Sequence, residues 1–181
     1  MRITLIAGTQ NEDSLTYRVV LHLFERLESQ YPEHSFKIID CRKVSIPLNV
    51  EVFNRNGPIP DFFVDEFDTI WNSDGLILIS PEYNGSHSPA LKNLLNHFPK
   101  LSRKVFGIVT ASDGALGGMR AAITLQNLVP AHFGILSPIM LIIPKVHLLF
   151  NESGSLLDDH LMPSINNFVN EFMWLTSKIH G

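Results

Sequence analysis

Apolar residues in this chain follow two rhythms. Short runs that are apolar at nearly every position cover residues 3–7, 36–39, 76–79, 105–110 and 139–143. Such runs, rich in Ile, Leu and Val, fit strands with both faces covered. Between them apolar residues recur at intervals of three and four: Leu15, Val19, Leu23 and Leu27; Phe63, Phe67 and Ile70; Leu91, Leu94 and Leu95; and Leu161, Ile165, Phe168, Phe172, Leu175 and Ile179. Those intervals put each set on one side of a helix. A further helix carrying Ile123, Leu125 and Leu128, bent near Pro130, is expected after the glycine-rich stretch 111–118. Strand and helix therefore alternate along the chain. This predicts an α/β three-layer sandwich: a five-stranded parallel sheet of order 2-1-3-4-5, right-handed crossovers, and helices on both faces.

The clearest junction lies at residues 75–93, GLILISPEYNGSHSPALKN. The apolar run breaks into a polar turn of Pro81, Glu82, Tyr83, Asn84 and Gly85, after which Ser86 or Ser88 can cap a helix that Pro89 enters at its first position. A strand that ends at a helix N-terminus is where open α/β sheets bind ligands, because unpaired backbone N–H groups collect there. Two other junctions have the same form. In the loop 8–14, the hydroxyls of Thr9 and Ser14, with Thr16 just beyond, could join backbone N–H groups around a phosphate. That loop has a single glycine, against the three of the dinucleotide fingerprint, and no glycine-rich loop ends in Gly-Lys-Ser/Thr, so a monophosphate suits it better. In the loop 112–118, Ser112, Gly114 and Gly117 would let backbone approach a flat ligand. Taken singly, each loop also has the form of a helix cap or turn without a ligand; their joint occurrence points to a site.

Composition narrows the class. A chain of 181 residues, 45% hydrophobic and 18% charged, is globular and is expected to form one domain over 1–181 without a metal or a disulfide. The net charge of −4 gives no footprint for nucleic acid, so any anionic ligand must be held by local groups. The lone Cys41 suits a reducing compartment and a buried, unreactive role. There is no run long enough to span a membrane and no leader pattern at the N-terminus, so a cytoplasmic protein that does not enter membranes is expected. The eight histidines lack a helical pair near acids, and no metal site is expected; His87, beside the site, is expected to serve local hydrogen bonding at a helix start, with contact to substrate as the alternative. Residues 42–61 have little periodicity and are expected to cover a ligand or a partner subunit.

Pro81-Glu82-Tyr83-Asn84-Gly85, followed by Ser-Pro-x-Leu-Lys-Asn at 88–93, resembles the signature of the NADPH-dependent FMN reductases, a flavodoxin-like family. The loops 8–14 and 112–118 resemble that family's Gly-Ser/Thr-x-Arg-x-x-Ser and Ser-x-Gly-x-x-Gly stretches, with Asn11 at the arginine position. The resemblance implies a flavodoxin-like fold. It also implies a bound FMN, with the phosphate at Thr9, Asn11, Ser14 and Thr16, and the ribityl chain and pyrimidine edge at Pro81, Glu82, Tyr83, Asn84 and Gly85. N–H groups around Ser112, Gly114 and Gly117 would stabilise charge near N1 and O2 of the ring. It further implies NADPH as hydride donor, a small-molecule electron acceptor such as FMN, a quinone or an azo compound, and a homodimer or homotetramer. Family members often carry Asp-Trp where this chain has Asn96-His97. No catalytic side chain is expected, since hydride transfer asks the protein for position and electrostatics. Two alternatives stand beside this reading: an electron carrier or regulatory module that keeps the fold without turnover, and an enzyme acting on a phosphorylated metabolite without flavin.

Overall fold

The computed structural model describes residues 1–44, 47–48, 52–54 and 56–181. Strand β1 (Arg2–Ala7) lies in the middle of a parallel group, with β2 (Ser35–Asp40) on one side and β3 (Gly75–Tyr83) on the other. Beyond β3 runs β5 (Val105–Ala111), paired parallel from Gly75↔Val105 to Pro81↔Ala111. The main order is β2-β1-β3-β5-β6 in a seven-stranded sheet, which is the flavodoxin-like order expected from the alternation of elements.

Two details differ from the sequence expectation. The segment 81–85 is not simply a turn. Strand β3 continues to Tyr83 and folds back antiparallel onto β4 (Ser86–His87), with Glu82 opposite His87 and Tyr83 opposite Ser86. Asn84 and Gly85 form the tip, with φ of 50° and 80°. Positive φ at both central residues is what a tight hairpin turn with the right twist demands, and Asn-Gly is the pair that supplies it most readily. The fifth strand of the order is also split. Strand β6 (Ile135–Leu136) pairs with Val105 and Phe106, while β7 (Leu141–Ile143) pairs with Val109 to Ala111. Pro138, which has no N–H to donate, lies in the gap, so Ile139 and Met140 fall outside the ladder.

Helices follow from caps and apolar faces. Helix α1 (Leu15–Gln30) begins at Ser14, whose Oγ accepts from the Tyr17 N–H at 3.2 Å, and buries Val19, Val20, Leu23 and Leu27. Helix α2 (Val64–Trp71) buries Phe67 and Ile70. Ser88 caps α3 (Pro89–Asn96) by accepting from the Leu91 N–H, with Pro89 at the first position as expected. Helix α4 is Met119–Ala131 and α5 is Met162–His180. Pro130 sits one residue from the end of α4 and removes one i→i−4 N–H from its last turn.

The strands alternate their side chains between two cores. Leu5, Ile77, Ile79 and Val109 face α1 and α5, while Ile6, Leu78, Phe106 and Ile108 face the helices of the other layer. Segment 42–61 extends the second core. The Phe53 ring stacks on His97 at 5.0 Å, its N–H donates to the His97 carbonyl, and the Pro47 carbonyl accepts from Asn93 and lies 3.2 Å from His97 Nε2. Pro47 and Phe53 of this segment thus lie against α3 and its C-terminal end. Ser45, Ile46, Asn49, Val50, Glu51 and Arg55 lie outside the described residues. Cys41 is buried, and burial pushes its thiol up to about 12, which keeps it protonated and inert.

Helix α5 comes unusually close to the sheet. A Cβ at Gly107 would stand 2.9 Å from the Phe168 ring, and one at Gly75 would stand 2.7 Å from that of Phe172. Gly107→Ala is expected to lower stability by about 1–3 kcal/mol through overpacking, read as a lower urea midpoint at unchanged slope.

Candidate functional site

Because β1, β3 and β5 are adjacent and parallel, the connections that follow them leave the same edge of the sheet. There they enclose a cleft of about 200 Å³. Its walls are Asn11, Asp13, Ser14, Leu15 and Thr16 from the start of α1, Pro81, Glu82 and Tyr83 from the end of β3, and Ala111, Ser112 and Asp113 from the end of β5. Val146, after β7, closes it.

Of the residues singled out from the sequence, Asn11, Ser14, Thr16, Pro81, Glu82, Tyr83 and Ser112 line this cleft. Thr9 is buried beside it, its Oγ1 accepting from the Asn11 N–H at 3.3 Å, so that hydroxyl shapes the loop. Asn84 and Gly85 stand at the hairpin tip. A Cβ on Gly114 would meet only Ser112 Oγ, at 3.6 Å, so backbone is bare there. Gly117 turns the other way, and a Cβ on it would press on Pro144 at 2.7 Å. Gly117 and Gly118, with φ of 61° and 86°, are the left-handed pair that lets the chain reverse into α4.

The charged groups around the cleft are mostly engaged. Glu82 accepts from the Arg120 backbone N–H at 3.1 Å and from its guanidinium at 3.4 Å. Asp113 pairs with His147 Nδ1 at 2.8 Å. Behind the first loop, Arg42 grips the buried Asp40 through three contacts of 2.7 to 3.2 Å, lies 3.7 Å over the Tyr17 ring, and donates to the Glu12 carbonyl at 3.2 Å. The hydrogen bond to Asp40 and that carboxylate's charge push the guanidinium further up. Among the described residues, no lysine or arginine lines the cleft. His87 Nδ1 lies 2.8 Å from Thr124 Oγ1, and burial lowers its pKa, with Lys92 adding to the effect.

Sequence reasoning did not single out for the site Leu15, Ala111, Asp113 and Val146, which line the cleft, or His147, which holds Asp113. The segment Lys145–Leu148 is braced on the third loop through Lys145 N–H to the Gly114 carbonyl and Val146 N–H to the Ser112 carbonyl. Those bonds depend on β7 lying beside β5, and no local signal marks them. The hairpin did carry a local signal, Asn84-Gly85.

This sheet order with three loops converging at the C-terminal edge defines a flavodoxin-like fold. A sequence model of the NADPH-dependent FMN reductases matches residues 1–147, and the chain belongs to that family. It is 29% identical to the NADH:(hydroxy)cinnamate reductase subunit CrdA of Vibrio ruber, over 99% of this chain and 89% of that one. A quinone reductase of Pseudomonas putida is 28% identical over 94% of this chain and 91% of its own. Among solved structures, FerB, a flavoenzyme NAD(P)H:(acceptor) oxidoreductase of Paracoccus denitrificans, shares the fold with a TM-score of 0.77 at 20% identity over 98% of both chains. As a member of this family the chain is a flavin reductase, an oxidoreductase that works with FMN.

Burial lowers the pKa of His22 and His132 as well as His87, against a carbonyl bond that opposes it in the first two. A depressed imidazole takes up its proton more readily in the unfolded chain. Stability is therefore full above the ordinary imidazole value of about 6.5 and is lost as pH falls toward the lower folded values. Urea melts should show a lower midpoint at pH 5.5 than at pH 7.5, and replacing His22, His87 and His132 by Asn should flatten the difference.

Proposed function

We propose that this chain binds FMN in the cleft between β1, β3 and β5, draws hydride from NADPH, and hands two electrons to a small acceptor of the quinone class. The observation that carries this reading is the meeting of three loops, each with phosphate- or ring-compatible chemistry, at one edge of the sheet. FMN held there would supply the redox chemistry, taking a hydride from the nicotinamide and passing electrons on.

The residues fit a flavin monophosphate in kind. The N–H groups of Leu15 and Thr16 belong to the first turn of α1 and have no carbonyl a turn back, so they are available to phosphate oxygens beside the hydroxyls of Ser14 and Thr16. The half-exposed Tyr83 ring offers a flat wall, and the backbone at Gly114, next to the lining residues Ser112 and Asp113, is bare. With Asn11 in the family's arginine position and no lysine or arginine among the described residues that line the cleft, neutral donors and the helix N-terminus would hold the phosphate. Asp13, exposed at the rim, opposes it. A carrier without turnover would bury the ring from solvent. Among the described residues, none of segment 42–61 lines the cleft beside Tyr83, and Pro47 and Phe53 pack at α3 instead, which favours the enzyme.

The test is reconstitution: titrate the purified protein with FMN, following flavin fluorescence, then compare NADPH and NADH oxidation with a quinone present. Quenching with NADPH-dependent quinone reduction supports the proposal, and a protein that neither takes up FMN nor consumes either nucleotide overturns it. Asn11→Arg should tighten FMN about threefold to tenfold through a charge-assisted bond to the phosphate, while riboflavin, which has no phosphate, should bind as before. The chain is also proposed to form a homodimer; sedimentation that returns only monomer at micromolar concentration counts against that.

A further inference from the structure

Helix α4 starts without a cap of its own. Its N-cap is Gly118, which has no side chain to offer, and its first turn contains no acid. A helix start left this way exposes unpaired N–H groups and the positive end of the helix dipole. The missing acceptor comes from another element. Glu82, near the end of β3, accepts from the Arg120 backbone N–H through Oε2 at 3.1 Å and from the Arg120 guanidinium through Oε1 at 3.4 Å. Its side chain is only 16% exposed, although Arg120 is 64% exposed.

One turn further along α4 the hairpin is gripped again. Thr124 Oγ1 accepts from the His87 N–H at 3.2 Å, lies 2.8 Å from His87 Nδ1, and donates to the Ala121 carbonyl at 2.9 Å. Glu82 and His87 stand opposite each other in the hairpin. Arg120 and Thr124 are four residues apart and so face the same way on the helix. One cross-strand pair therefore holds two successive turns of α4, and the residues just before those turns, Gly114 to Gly118, are the third loop of the cleft. The hairpin tip, with Tyr83 and Asn84, and the glycine loop are thereby joined into one body.

We propose that Glu82 and Thr124 are positioning residues for the flavin ring, acting through the start of α4 to fix the gap between Tyr83 and the glycine loop. This inference rests on the flavin reading given above. It assigns the Glu82 carboxylate to the α4 N-terminus as its working partner, and leaves the phosphate end of the site to Ser14, Thr16 and the first turn of α1.

The test measures FMN and riboflavin affinity by fluorescence quenching, together with amide exchange of the flavin-free protein. Glu82→Ala should weaken both flavins about tenfold, since the wall for the ring loosens while the phosphate end does not, so their ratio stays at the wild-type value. Glu82→Gln keeps an acceptor oxygen and should stay within about threefold. Ser14→Ala provides the contrast, weakening FMN and not riboflavin. In the flavin-free protein, Glu82→Ala should speed exchange of the Arg120 amide about tenfold or more. Should Glu82→Ala fail to fold, Thr124→Val, which removes the second grip, is expected to give the same unchanged ratio with about threefold weaker binding. Wild-type riboflavin affinity in Glu82→Ala overturns the inference, as does Glu82→Gln behaving like Glu82→Ala, which would mean that the charge acts on the ligand itself. If the wild-type protein binds neither flavin, the flavin reading fails, whereas unchanged Arg120 exchange in Glu82→Ala defeats the clamp alone.

Discussion

The structure depends on the side-by-side, parallel pairing of β1, β3 and β5 with both faces buried. Parallel strands need crossovers, and crossovers place every strand-to-helix connection at the same edge. Burial on both faces fixes the register, because a slip of one residue would exchange Leu5 with Ile6, or Ile77 with Leu78, between two differently shaped cores. Once the register is set, loops far apart in sequence have no freedom about where they end. The cleft is thus a consequence of core packing, and its side chains add chemistry to a place the sheet has already made.

Apart from Asp13 at the rim, the acids of that cleft are paired and its donors are neutral. Glu82 and Asp113 would each oppose an anionic ligand if left free, but one caps α4 and the other is held by His147. The arginine nearest the first loop is spent on Asp40 and on bracing the Glu12 carbonyl from behind. In the proposed site a helix N-terminus and hydroxyls would stand where the family pattern has a guanidinium. Hydrogen bonds from neutral groups are weaker than charge-assisted ones, so the phosphate is the softer of the two ends of the proposed site. The other end is stiffened by the hairpin and its two grips on α4.

Local features carried much of this. The apolar runs announced the strands, and three- and four-residue spacing announced the helices. Ser88-Pro89 marked the start of α3, and the three loops could be found by their glycines and hydroxyls. Burial on two faces leaves a signature in every residue of a strand, so such elements are legible one at a time. The hairpin at Asn84-Gly85 belonged to the same class of signal, since only a few residues tolerate positive φ.

Other features have no local signature. That Glu82 serves a helix starting more than thirty residues later, or that Val146 shares a wall with Thr16, follows from which strands are neighbours. The break between β6 and β7 depends on how far β5 extends beside them, and the inward turn of the Thr9 hydroxyl depends on the Asn11 amide within reach. The sequence by itself determined the elements and the chemical types present at their ends, because propensity, capping and periodicity act over a few bonds. Only the tertiary structure decided which of those groups face the cleft and which are consumed by holding its walls, because that choice is made by contacts between segments the chain brings together on folding.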